Sequence, residues 1–197
     1  MTVASATHLD TASEAYVAGV LETIEGLGFV TVLGAYVLGS GAVGGFEPGR
    51  SDIDLVVVVD RKLNRFERSA VVEAIGRLGC PARRLELVLY ARGDQPPAFQ
   101  LNLNVETHGA AERADEPAHW FVIDAALAQE RAVPVAGPAW RDLFAPIAPD
   151  QIQGAMNDSI AWSEQQPAEN EFTRLNAARA RHYLDHGEWI SKEEAKR

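Results

Sequence analysis

Apolar residues recur at helical spacing in the first thirty positions. Tyr16, Val17, Val20, Leu21 and Ile24 share one face of a helix predicted over 11–26. Thr11 and Glu14 have the spacing of a capping box, and Gly26 and Gly28 close the segment. A β-rich run follows from Phe29 to Leu38, then a glycine-rich loop. Next comes a strand over about 53–59, apolar from Leu55 to Val59. Residues 65–78 return to the helical period, with Val71, Val72, Ile75 and Leu78 on one face. "RRLELVLY" alternates around Leu85, Leu87 and Leu89, which predicts a strand, and "GDQPPA" predicts a loop. "LNLNVE" alternates again and is expected at an edge of the sheet. From Pro117 the pattern turns helical and is expected to stay so. Gly137-Pro138 interrupts it before a short helical turn, and two longer helices are predicted over 150–164 and 169–186. The fold class expected is α+β: a small mixed β-sheet domain over 1–112, followed by an all-helical domain over 113–197, with the active site in the cleft between them.

Composition narrows the classes of function. Of the 197 residues 47% are hydrophobic and 23% charged, an ordinary globular balance. No apolar run approaches the roughly 20 residues of a membrane span. Met1 to Asp10 lacks the basic and apolar regions of a secretory signal, so a cytoplasmic protein is expected. Cys80 is the one cysteine, which excludes a disulfide framework and a cysteine metal cluster. The formal charge of -10 argues against a protein that grips a nucleic-acid backbone, despite local basic spots at Arg83-Arg84 and Arg174 to Arg181. It suits a small cationic partner. Neither a membrane nor a nucleic acid is expected as partner, and a monomer is favoured. His182 and His186 have zinc-compatible i, i+4 spacing but no third ligand nearby; the Arg-Gly-Asp at 92–94 reads as coincidence. Trp120, Trp140, Trp162 and Trp189 read as packing residues.

The chemistry concentrates at "GSGAVGGFEPGRSDIDLVVVVD", residues 39–60. In a strand, Asp52 and Asp54 project to the same face with Cα atoms roughly 6.6 Å apart. Two carboxylates at that separation repel by about 2.5 kcal/mol at an effective dielectric near 20. A divalent cation reverses the sign, and hard oxygen donors suit Mg²⁺. Upstream, Leu38-Gly39-Ser40 ends a strand in a turn that offers backbone N–H groups and a hydroxyl, as phosphate cradles do. Downstream, Glu86 stands alone among leucines on a strand able to pair beside the first. Three acids converging beside a glycine turn is the arrangement that metal-assisted phosphoryl or nucleotidyl transfer requires.

"LGS", then "RSDIDLVVV", then a single acid in "LELVL" resembles the polymerase-β-like nucleotidyltransferases. "HWFVIDAALAQERAVPVAGPAWRDLFAPI", "RLNAARARHY" and "WISKEEA" are similar to the helical domain of the aminoglycoside 3''-adenylyltransferase family, the streptomycin and spectinomycin adenylyltransferases of antibiotic resistance. The resemblance spans about residues 30–197. It implies Mg²⁺-dependent transfer of AMP from ATP, the co-substrate, to a hydroxyl of a small polyhydroxylated amine, with release of pyrophosphate. It implies Asp52 and Asp54 as metal ligands, and Glu86 as general base that also touches metal and substrate. Gly39, Ser40, Ser51, Arg179 and Lys192 would bind the triphosphate. Ser191 and Glu194 also form a predicted capping box, which would set Lys192 at a helix N-terminus.

The chain departs from the family pattern in places. Val105 to Gly109 stands where a drug-recognising tryptophan is expected. The acid expected near Gln165 is replaced, with Glu164, Glu169 and Glu171 nearby, and Glu169 is the one assigned to the substrate. These differences argue against streptomycin and spectinomycin themselves as acceptors. The helix begun at Ser191 has almost no length, so the expectation is either a naturally shortened member or a helical domain incomplete at its C-terminal end. Rival readings are a nucleotidyltransferase that AMPylates a protein, a nucleotide-binding module without catalysis, and an RNA-tailing enzyme. The added helical half, the intact acids and the absent basic surface argue against them in turn.

Overall fold

The computed structural model describes residues 7–92, 99–106, 109–113, 116–167, 169–192 and 194–197. The loop expected at 93–98, and with it most of the Arg-Gly-Asp stretch, lies outside them. The described chain forms two compact units, one of residues 1–115 and 128–145, the other of residues 116–127 and 146–197.

The first unit is built on a six-stranded sheet. Its strands are β1 (Val32–Val37), β2 (Ile53–Val59), β3 (Leu85–Ala91), β4 (Phe99–Glu106), β5 (Gly109–Glu112) and β6 (Val133–Ala136), ordered β5-β4-β3-β2-β1-β6. β2 and β3 are parallel and every other pair is antiparallel, so the sheet is mixed as expected. Helix α3 (Arg65–Ile75) makes the crossover between the parallel pair. Leu55, Val57 and Val59 of β2, Leu85, Leu87 and Leu89 of β3, and Leu101, Leu103 and Val105 of β4 share one buried face. Helix α1 (Thr11–Gly26) adds Tyr16, Val17, Val20 and Ile24 to that core, and α3 adds Val71 and Ile75. Each such side chain contributes roughly 1.5–3 kcal/mol on leaving water. Alternate residues of the same strands point to the opposite face, which carries Asp54 and Glu86. That face also carries an aromatic cluster. Trp140, on the short helix α5 (Trp140–Leu143), meets Tyr36 edge-on at 5.3 Å and Tyr90 at 6.2 Å.

Four expectations are corrected. β4 is interior, because β5 pairs along its outer side; the sequence Gly-Ala-Ala-Glu of β5 has no β-branched residue to announce it. The region after Pro117 is not all helix, since β6 closes the other edge against β1. Its four residues include Pro134, tolerated because the strand is an edge. The glycine loop opens with a short helix, α2 (Gly39–Val43). Finally, α1 is capped by Asp10, whose carboxylate accepts from the Ser13 N–H at 2.9 Å; Thr11 lies inside the helix, and its expected capping box does not form. An ionised acceptor one residue earlier is a stronger cap than the hydroxyl.

The second unit is helical. Helix α4 (Ala118–Arg131) begins in it and ends in the first unit. Helices α6 (Pro149–Glu164) and α7 (Glu171–His186) pack on each other. Met156 and Ala155 of α6 and Leu175, Ala177 and Ala180 of α7 are buried. Pro149 opens α6 at its first turn, and Asn170 caps α7, which ends at Gly187 in the left-handed conformation, φ 70°. The expected box at Ser191 forms: Ser191 N–H donates to the Glu194 carboxylate at 2.7 Å, and Glu194 N–H to the Ser191 hydroxyl at 3.2 Å. The box opens onto a single 3-10 turn, Glu194–Lys196. Among the described residues no helix is long and apolar enough to cross a membrane.

Candidate active site

The register of the parallel pair decides the site. Asp54 of β2 stands directly beside Glu86 of β3, and Glu86 in turn beside Asn104 of β4. Adjacent strands lie about 4.8 Å apart, so three polar residues form a row across the sheet face opposite the main core. Asp52 precedes β2 by one residue and is half-buried. Its backbone neighbourhood is fixed from β3, because Ile53 N–H donates to the Arg84 carbonyl at 3.0 Å.

The turn at Gly39 abuts this row. Leu38 N–H donates to the Asp54 carbonyl at 2.9 Å, which ties the end of β1 to the start of β2. Gly39 adopts φ 54°, and a Cβ placed on it would stand 1.9 Å from Asp54 Oδ2. Only glycine allows both that backbone and that approach. The turn thus sets Gly39 against the Asp54 carboxylate, with Ser40 next in the chain. Ser51 lies nearby in sequence but is engaged locally, its hydroxyl accepting from the Glu47 N–H at 3.0 Å.

Two arginines complete the site. Arg83 clamps Asp52 with two donors, its Nε on Oδ1 at 2.7 Å and a terminal nitrogen on Oδ2. Arg84 reaches Asp52 Oδ2 at 3.2 Å and also pairs with Glu86 Oε1. The sequence marked these arginines only as a basic spot. The available signal was alternation, since Arg84 is two residues before Glu86 and so shares its face.

The donor chemistry of Asp52, Asp54 and Glu86 fits a hard divalent cation, being all carboxylate oxygen. The three acids are nonetheless not gathered into a ready ligand set. Among the described residues no group of three His, Cys, Asp or Glu stands close enough to hold an ion together, while arginines occupy Asp52 and Glu86. The fit is thus one of donor type and strand register. His182 and His186 stack with ring centroids 4.5 Å apart and likewise belong to no such group.

The remaining candidates lie in the second unit. Arg179 Nε donates to the Ile190 carbonyl at 2.8 Å, tying α7 to the segment after it. It lines a cavity of about 30 Å³ with Trp120, Met156, Ser159, Asn176 and Trp189. Lys192 is exposed and sits 5.3 Å from the centre of the Phe172 ring, a cation–π distance. Glu169 is exposed just ahead of the Asn170 cap. Trp120 packs on Trp162 and Phe172, with the buried His119 against both tryptophans; burial pulls the His119 imidazole below its ordinary pKa. Trp140, in the first unit, is a buried packing residue as expected.

Residues 21–96 match the family model described as a nucleotidyltransferase domain, a segment that holds Gly39, Ser40, Asp52, Asp54 and Glu86. No curated protein matches the chain. Among solved structures it is similar to the spectinomycin adenyltransferase AAD(9) from Enterococcus faecialis with ATP and spectinomycin. The identity is 18%, the TM-score 0.72, and the match covers 94% of this chain and 81% of that one. At that identity the likeness speaks for the fold, a mixed sheet with adjoining helices. The domain match and the shared fold support a transferase enzyme of the nucleotidyltransferase kind.

Proposed function

We propose that the protein transfers AMP from ATP to a hydroxyl of an aminoglycoside- or aminocyclitol-like molecule. The observation that carries this reading is the place of Asp54, packed on the Gly39 turn and in register with Glu86. The similar adenyltransferase was solved with ATP and spectinomycin, which favours a small polyhydroxylated acceptor here as well.

In this mechanism Asp52 and Asp54, with Glu86 also reaching the ion, would hold Mg²⁺, which would supply charge neutralisation at the reacting phosphates. Glu86 accepts the proton of the acceptor hydroxyl, the freed oxygen bonds to the α-phosphorus, and the bond to the pyrophosphate oxygen breaks. Gly39, Ser40 and Ser51 are assigned to the phosphates, with Arg179 and Lys192 as their cationic partners. Glu169 is assigned to an ammonium group of the acceptor, in keeping with the net charge of -10.

The test is transfer of label from α-labelled ATP with Mg²⁺ to a panel of aminoglycosides and aminocyclitols, with Asp52→Asn alongside. Label is expected on at least one compound and is expected to vanish in the variant. No labelled product across the panel, or undiminished labelling by Asp52→Asn, refutes the reading.

A further inference from the structure

Arg84 stands between two acids that the proposed chemistry needs free. Its guanidinium pairs with Asp52 at 3.2 Å and with Glu86, whereas Arg83 holds Asp52 alone. Its side chain is only 26% exposed, so the pairs are partly shielded from water and from salt. Its Nε lies buried without a hydrogen-bond acceptor among the described residues, so the two ion pairs do not satisfy the whole guanidinium. Without a cation at this point, Asp52 and Glu86 would repel on a partly desolvated sheet face.

We propose that Arg84 is a resident counter-ion that competes with a divalent cation for the oxygens of Asp52 and Glu86. The inference rests on the reading of those acids as metal ligands. A guanidinium and a metal ion use the same carboxylate lone pairs, so binding one requires release of the other. Arg84 therefore sets how much divalent cation the nucleotide-free protein takes up. Once released, its planar fork is free to turn to phosphate oxygens, so arrival of a nucleotide with its metal favours the exchange.

The experiment is a Mn²⁺ titration of the full chain without nucleotide, read by electron paramagnetic resonance. Wild type, Arg84→Gln and Arg84→Lys are compared, with thermal midpoints measured with and without Mn²⁺. Arg84→Gln is expected to bind Mn²⁺ about two- to fivefold more tightly, the gain from losing a competing ion pair of ordinary strength. Mn²⁺ is also expected to raise its thermal midpoint more than that of wild type. Arg84→Lys, which keeps the charge but loses the planar fork and some of the reach, is expected to fall between. It carries the test if the glutamine variant does not fold. Equal or weaker Mn²⁺ binding by the variants, or none, overturns the proposal. The outcome is separable from the reading beneath it. AMP transfer with unchanged Mn²⁺ affinity sinks only the role of Arg84; tightened Mn²⁺ binding with no AMP transfer keeps that role and sinks the transferase reading.

Discussion

Gly39→Ala is the most direct probe of the site, because two independent costs meet at one atom. The first is backbone: φ is 54°, and a side chain there costs roughly 1–2 kcal/mol. The second is steric: the new methyl would lie 1.9 Å from Asp54 Oδ2 and 2.9 Å from its Cγ, so the carboxylate or the turn must move. Forced repacking of that kind costs about 1–3 kcal/mol. Asp54→Ala removes both offending atoms and leaves only Cβ, at an ordinary 3.6 Å. A double-mutant cycle therefore separates the two. Gly39→Ala is expected to cost about 2–5 kcal/mol in wild type and only the backbone share in Asp54→Ala, a coupling of about 1–3 kcal/mol. Urea midpoints of the four proteins give the number. Gly28→Ala is the control, since its φ is 74° but nothing lies within 4 Å of the added carbon. It should cost the backbone term alone and leave AMP transfer intact. In Gly39→Ala transfer should fall about 10²-fold, the usual penalty for a misplaced catalytic group. Equal costs of Gly39→Ala in both backgrounds would show that the carboxylate does not rest on this turn.

Glu86→Gln is expected to keep ATP binding and to lose transfer by about 10²–10⁴-fold; full transfer refutes its role as base. Trp140→Ala, which empties the cluster with Tyr36, Tyr90 and Phe144, should cost about 3–5 kcal/mol in urea unfolding. A loss below about 1 kcal/mol would mean that those rings do not depend on it. Arg61 and the Asn64 N–H hold the Glu67 carboxylate at about 2, below its ordinary 4.5. A lowered folded-state pKa gives stability that is present above about pH 4.5 and fades as pH falls toward 2. Glu67→Gln should flatten that part of the stability profile, and an unchanged acid limb would contradict the assignment.

The strands that frame the site were legible because their periodicity is strong. Leu55 to Val59 and the alternation through Leu85, Leu87 and Leu89 mark β2 and β3, and the observed ranges agree. Hydrophobic period also exposes the acids, since Asp54 and Glu86 interrupt apolar strands. Register is another matter. Pairing Asp54 with Glu86 rather than with a neighbour depends on the length and path of the 25 residues between the strands, Asp60 through Arg84, which no local pattern encodes. The same limit hid half of the role of Arg84: alternation sets it on the face of Glu86, but its pairing with Asp52 depends on that register. β5 and β6 were masked for local reasons, both being four residues long, β5 without a β-branched residue and β6 interrupted by Pro134. Such strands exist because a neighbour offers them a ladder.

Strand β6 has a bearing on how the chain is made. It pairs with β1, yet Val133 comes almost a hundred positions after Val37. On a ribosome, β1 to β5 emerge while the free side of β1 still has unmet backbone donors and acceptors. At about 5–20 residues per second, the stretch from β5 to β6 takes roughly one to a few seconds to synthesise. During that interval β1, with Ala35, Tyr36 and Val37 all destined for burial, is an open edge of the kind that recruits other chains. A late, short, proline-bearing strand closes it, so the interval before β6 emerges is when the chain is most open to pairing with others.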